Sequence, residues 1–177
     1  MIRAFKGVSP RIDPSAFVDE SAQVLGDVEL GPGASIWLNT VIRADVGPIR
    51  IGARTNIQDL CVVHCTRGSP EPGARPPHHA TVGEDVTVGH SVTLHGCTIR
   101  DRVLIGMGAI VLDGAVIAED SMVAAGSLVP PGATFPPRSL ILGSPAKVKR
   151  PLTDEEVAFI RQSALNYIGY AADHRGG

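Results

Sequence analysis

The sequence predicts an all-β chain, a parallel β-helix of six-residue repeats closed by one C-terminal α-helix, and three observations carry that expectation. Aliphatic residues recur every six positions along most of the chain. Gly and Pro number 20 and 14 among 177 residues while aromatics make up only 4%, a balance suited to short strands and tight corners. After Pro151 the period changes to a helical one.

The repeat begins at Ile12, Val18, Val24, Leu30, Ile36 and Ile42, then resumes after a three-residue insertion at Ile51, Ile57 and Val63. A long excursion follows before Val82, Val88 and Leu94. The register then drops one residue to Ile99 and runs through Ile105, Val111, Ile117, Val123, Val129, Phe135 and Ile141. A period of six is too long for an α-helical stripe of about 3.6 residues and too long for simple strand alternation. Each unit therefore reads as one strand plus one corner, and three units close a triangular coil of 3 × 6 = 18 residues. Stacked coils would pair in parallel about 4.8 Å apart, with the aliphatic residue filling the prism and small residues such as Ala22, Ala34, Ala109 and Ala115 at the corners.

One β-helix domain is expected over residues 1–150, with a loop excursion at about 66–80, and a helix packed on it over 151–177. Thr153-Asp154-Glu155-Glu156 reads as a capping box, with Leu152 and Val157 placed for a hydrophobic staple. Val157, Ile160, Ala164, Leu165 and Ile168 then recur at helical spacing, which predicts roughly four turns.

A formal charge of −2 offers no surplus to neutralise phosphates, so nucleic acid is not an expected partner. The start MIRAFKGVSP lacks the apolar region of a signal peptide, and the apolar stretch 105–129 is broken by Asp113, Glu119 and Asp120. A cytoplasmic protein with no membrane partner is the expectation. Cys61, Cys65 and Cys97 form no CxxC pair and are odd in number, so they read as small buried hydrophobes.

The repeat converts sequence number into position on the coil. Val63 to Val82 advances 19 residues where 6 are expected, a loop of 13 extra residues. His64 and His95 are 31 apart, and 31 − 13 = 18, so they stack one coil apart on the same face. Arg43 precedes His64 by 21, which is 18 after the earlier insertion is removed, and joins the same column. Asp59 and His90 form a second column one position further along the preceding face. Two stacked imidazoles can share a metal, since zinc takes nitrogen at about 2.0 to 2.1 Å. His90 lies one face away in its own chain, so a three-fold assembly would be needed for a neighbour's His90 to complete a three-histidine site with an open position. His78 and His79, in the Pro-rich loop, lack the registry and read as solvated or rim residues, and His174 as surface.

The runs NIQDLCVVH (56–64), VTVGHSVTLHGCTI (86–99), VLIGMGAIVLDGAVI (103–117) and LGSPAKVKRPL (142–152) resemble the γ-class carbonic anhydrase-like proteins over nearly the entire chain. The resemblance implies a left-handed β-helix and a homotrimer with zinc, or alternatively iron or cobalt, between subunits. It further implies metal-dependent, reversible hydration of CO2 to bicarbonate. His64 and His95 would come from one subunit and His90 from its neighbour. Arg43 and Asp45 match the family's interface pair, with Asp59 near it. Gln58 matches the residue that orients the zinc-bound hydroxide, and Tyr167 resembles a tyrosine that approaches the metal from the C-terminal helix. Archetypal members carry Glu immediately after the Asp45 position and another in the loop after the first His, both serving proton transfer. Here those neighbourhoods hold Val46 and a loop whose acid is Glu71. Two other readings stay open: an acyl-CoA thioesterase or acyltransferase on the same prism, and a non-catalytic trimer stabilised by its metal.

Overall fold

The structure, a computed structural model, describes every residue except Pro70, Pro72, Ala74 and Gly177. Short parallel strands wind into a prism of three faces, and the aliphatic residues of the repeat sort into three inward columns. On the first face Val24, Ile42, Val63, Leu94, Val111 and Val129 lie in register. On the second the column is Ile12, Leu30, Ile51, Val82, Ile99, Ile117 and Phe135. On the third it is Val18, Ile36, Ile57, Val88, Ile105, Val123 and Ile141. All but Ile12 and Val18, in the first coil, are buried. The β-branched side chains suit a pleated wall packed on one side, and each strand gains its ladder hydrogen bonds from the coils above and below it, while corner bonds such as Ala34 N–H to the Gly31 carbonyl close within a coil.

The irregularities in the repeat have distinct structural fates. The three-residue insertion is absorbed within the long strand Val41–Ile51, whose ladder with Gln23–Leu30 jumps from Gly26 opposite Ala44 to Val28 opposite Ile49. Residues 45–48 therefore bulge out of the wall. The excursion after Val63 leaves at Thr66, which pairs in an isolated bridge with His78, and the chain re-enters the prism at Ala80–Val82. The expected loop at 66–80 thus includes Pro70, Pro72 and Ala74, which lie outside the described residues.

The three outer surfaces differ in character. The second face carries mainly polar side chains, including Arg11, Glu29, Arg50, Thr81 and Thr98. The third is covered by the helix, where Leu152, Val157 and Ile160 pack on Leu104, Met122 and Leu140. The first presents an uncovered apolar ladder, Val41, Val62, Thr93, Ile110 and Leu128, with Val62 42% and Ile110 39% exposed. At the corner between the second and third faces Arg54, Asp85, Arg102, Asp120 and Arg138 all have positive φ. Their alternating charges pair Arg54 with Asp85 at 2.6 Å and Arg102 with Asp120 at 2.8 Å, which offsets the cost of that conformation.

The helix spans Asp154–Gly176, 23 residues or about six turns, longer than the roughly four turns the spacing predicts. Its capping box forms as expected: the Thr153 N–H donates to Glu156 Oε2 at 2.9 Å, and the Glu156 N–H to Thr153 Oγ1 at 3.3 Å. The buried stripe is Val157, Ile160, Ala164 and Ala171, whereas Leu165 and Ile168 are exposed. A helix on a flat sheet buries one narrow stripe, and Leu165 sits about 100° round from Ala164. The extra turns carry the helix back to the first coils, where His174, exposed as expected, nonetheless sets its ring edge-on to Phe17 and Trp37. Among the described residues no helix is long and apolar enough to cross a membrane.

Replacing Thr153 by Ala is expected to cost about 1 kcal/mol through the lost cap, and Ile160→Ala about 2 to 5 kcal/mol through the cavity under the helix. Both are measured from urea unfolding. Equal, negligible costs would show that the helix contributes little to the stability of the prism.

Candidate metal centre

His64 ends the strand Val62–His64 and His95 ends Thr93–His95, and the backbone ladder sets them directly opposite one another. Both follow an inward residue, Val63 and Leu94, so the pleat turns both imidazoles outward. Nδ1 of His64 and Nε2 of His95 face each other at 3.1 Å. The ring nitrogen away from this contact is in each case held by a carboxylate. His64 Nε2 lies 2.9 Å from Asp45 Oδ1, and His95 Nδ1 lies 2.6 Å from Asp113 Oδ1. His90, at the corner after Thr87–Val88, has the same arrangement, with Nδ1 2.7 Å from Asp59 Oδ2.

This geometry bears directly on what the pair can hold. A carboxylate accepts but does not donate, so each imidazole presents its N–H to its aspartate and a lone pair on its other nitrogen. At His64 and His95 two lone pairs then point at each other, an arrangement relieved by a shared cation. Two nitrogens bound to one tetrahedral zinc lie ~3.3 Å apart, close to the separation observed, and a carboxylate behind each ligating His is the usual support for such a site. Burial, only partly opposed by Asp45, holds the His64 imidazole below its ordinary value, so it is neutral and able to ligate at pH 7. The donor set therefore fits a zinc-type ion, but two histidines are too few. Among the described residues of one chain no group of three or more His, Cys, Asp or Glu side chains is disposed to hold a metal. The reason is geometric, since four residues across the first face separate His90 from His95, up to roughly 16 Å of extended chain.

Other expected residues take more specific positions. Arg43 and Asp45 pair within one chain at 2.6 Å, and the bulge at 45–48 lets Asp45 reach His64 as well. Asp59 holds His90, its expected partner in the second column, and accepts the Leu38 N–H at 3.2 Å. Gln58 is 5% exposed, and its amide donates to Asn56 Oδ1 at 3.2 Å. Asn56 in turn donates to Thr87, and Thr87 to Ser163 on the helix. Gln58 thus belongs to a polar chain beneath the helix, and among the described residues it makes no hydrogen bond to His64 or His95. Tyr167 stands edge-on to Trp37 with ring centres 5.3 Å apart, and burial together with the nearby Asp59 raises its hydroxyl. Val46, where the acid would stand, is half-buried against the core. All three cysteines are buried, and burial pushes the Cys61 and Cys97 thiols up to about 12.

Asp113 is the residue that sequence reasoning missed. The dropped residue before Ile99 sets Leu94 opposite Val111, so the position stacked on His95 is Leu112, and Asp113 comes one residue later beside Gly96. Gly96 has φ +56, and a Cβ added there would lie 2.3 Å from Asp113 Oδ1. The missing side chain is what lets the carboxylate reach back to His95, while Thr66 Oγ1 donates to its other oxygen at 2.7 Å. Because this coil is one residue short, the count puts Leu112 rather than Asp113 over His95, and the period gave no signal for the carboxylate. His78, from the loop, packs over Gly96 and Gly114 and borders a groove of about 480 Å3 shared with Arg75, His95 and Asp113.

With this geometry in view, comparison with known proteins is informative. The family model described as bacterial transferase hexapeptide (six repeats) matches residues 96–131. A carbonic anhydrase of Geobacillus kaustophilus is 47% identical over 169 residues, 95% of this chain and 87% of that protein. The chain belongs to the γ-carbonic anhydrase-like family of hexapeptide-repeat proteins. Gamma carbonic anhydrase 1, mitochondrial, of Arabidopsis thaliana is 46% identical over 94% of this chain, which spans 59% of that longer protein. The crystal structure of a putative acetyltransferase from Bacillus cereus superposes with a TM-score of 0.90 at 43% identity, covering 99% of this chain and 96% of that one.

Two outcomes test the site. In Gly96→Ala the added methyl displaces Asp113, and the His95 N–H resonance shared with a carboxylate in NMR spectra of the wild type is expected to vanish; its persistence would show that Asp113 does not hold His95. The second concerns pH. Desolvation pushes the Asp45 and Asp113 carboxyls up, but hydrogen bonds from His64 and Arg43 to the first, and from Thr66 and His95 to the second, outweigh it and hold both below the ordinary value. Depressed carboxyls contribute stability that is present above about pH 4, the unfolded value, and is lost as pH falls through the folded values. The urea midpoint is expected to fall in two stages, first below about pH 6.5 as the unfolded His64 takes up a proton that the folded imidazole resists, and again below about pH 4, with the second fall smaller in the Asp45→Asn, Asp113→Asn double variant.

Proposed function

We propose that three copies of the chain assemble about a three-fold axis through their first faces and hold one zinc ion at each subunit boundary, where they catalyse the reversible hydration of CO2 to bicarbonate. The observation that carries this reading is the facing pair of His64 and His95 nitrogens, each imidazole backed by its own aspartate. The like-built pair of His90 and Asp59 at the opposite edge of the same face supports it. The apolar ladder with Val62 and Ile110 supplies a contact surface between those edges, and such a patch favours association. Kinship with a carbonic anhydrase at 47% identity supports the chemistry.

Zinc would supply activation of a water at neutral pH, lowering its pKa to about 7, for which carbonic anhydrase is itself the reference case. The chain's own residues do the rest. Asp45, Asp59 and Asp113 fix the tautomer and aim of the three imidazoles, and Arg43 anchors Asp45. With Val46 in place of an acid, protons leave by solvent or through the loop, so turnover is expected below that of members carrying both glutamates. The Bacillus cereus structure described as a putative acetyltransferase favours a second reading, acyl transfer or acyl-CoA hydrolysis on the same prism.

Subunit mixing tests the shared site. His90→Ala and His64→Ala variants alone are expected to bind no zinc and to be inactive in stopped-flow CO2 hydration. When the two are unfolded together and refolded, about a quarter of the sites regain both halves, as random assembly requires, with activity in proportion. Full metal retention by His90→Ala alone would overturn the shared site. Zinc-loaded trimer that hydrolyses acyl-CoA but does not hydrate CO2 would replace the activity while keeping the site.

A further inference from the structure

This chain has one Trp and two Tyr in total, and all three line a single groove. The groove, about 490 Å3, lies between the C-terminal helix and the corner that joins the third face to the first, and its walls also include Asp59, Asp173 and His174. The rings are set at steep angles: Trp37 and Tyr167 at 84°, Tyr167 and Tyr170 at 78°, each pair 5.3 Å between centres. Helix docking accounts for Trp37, which is 6% exposed, and for half-buried Tyr167, but not for Tyr170, whose ring is 50% exposed beside its neighbour. No Lys or Arg lines the groove, while two carboxylates do. The volume falls within the roughly 300 to 1,000 Å3 of sites for small organic ligands and is far larger than CO2 needs.

We propose that this groove binds a small organic cation of the alkylated ammonium class, its methyl groups against Tyr170 and Tyr167 and its charge balanced by Asp173 and Asp59. Edge-on packing among the rings holds Tyr167 and Trp37 in place and leaves the half-exposed ring of Tyr170 as the aromatic surface open to a cation, where a quaternary ammonium sheds its weak hydration at little cost. A primary amine holds its water more strongly and fits such a wall less well. Asp59 also holds His90, so the groove adjoins the proposed metal centre, but binding here requires neither metal nor turnover. Its failure would therefore leave the proposed reaction untouched.

Trp37, as the sole Trp, reports directly. Choline is titrated into the protein as purified while Trp37 fluorescence and heat are followed, beside the neutral carbon isostere in which a tert-butyl group replaces trimethylammonium. Saturable binding of choline is expected, at least about tenfold tighter than the isostere, the size of a partly desolvated cation–π and ion contribution. Tyr170→Leu and Asp173→Asn, both at exposed positions on the helix, are each expected to weaken choline at least about fivefold while the thermal melt is unchanged. Equal affinity for choline and the isostere, no saturation, or wild-type binding in both variants would overturn the proposal.

Discussion

The vertical stacking of coils is the constraint on which everything else depends. Each strand takes its ladder hydrogen bonds from the coils above and below, and each coil closes around the same apolar plug, so neither register nor height is free to drift. His64 opposite His95 is a direct consequence, because once Val63 stacks on Leu94 the next residue outward must stack as well. The prism thus serves as a ruler: it sets the two histidines one strand spacing apart and leaves only the aim of their rings to Asp45 and Asp113.

The site draws its precision from breaks in that regular pattern. A bulge at 45–48 lowers Asp45 to His64, a dropped residue shifts Asp113 past the column, and a corner without a side chain at Gly96 leaves room for its carboxylate. Each break costs ladder hydrogen bonds or backbone freedom, and each delivers a carboxylate behind a histidine. Regular repeat supplies stability and irregular repeat supplies chemistry, and the two are compatible because intact coils flank every break. The three faces divide labour in the same way, with polar residues toward water on the second, a helix over the third and apolar residues left uncovered on the first.

Much of this was legible in the sequence. The period of six names the three inward columns, because burial inside a prism calls for an apolar residue at each strand; the smaller core residues two positions before them, such as Val28, Val86 and Val92, lie outside that period. Counting along the period also stacked His64 on His95 and Asp59 beneath His90, since loop insertions change the count by whole numbers that can be subtracted. The capping box was legible for a different reason: its hydrogen bonds are local and need only four consecutive residues. The helix length was not, because its last turns are held by a distant part of the chain, Phe17 and Trp37, rather than by their own spacing.

By itself, then, the sequence determined the prism, its faces and which histidines share a column, all of which follow from one short period repeated. Only the tertiary structure decided where side chains reach from a corner. It placed Asp113 on His95, turned Asp45 from Arg43 toward His64 as well, set Asp59 on His90 and drew Gln58 under the helix. A corner has no period, and the direction of a side chain there depends on which neighbouring residue, such as Gly96, leaves space for it.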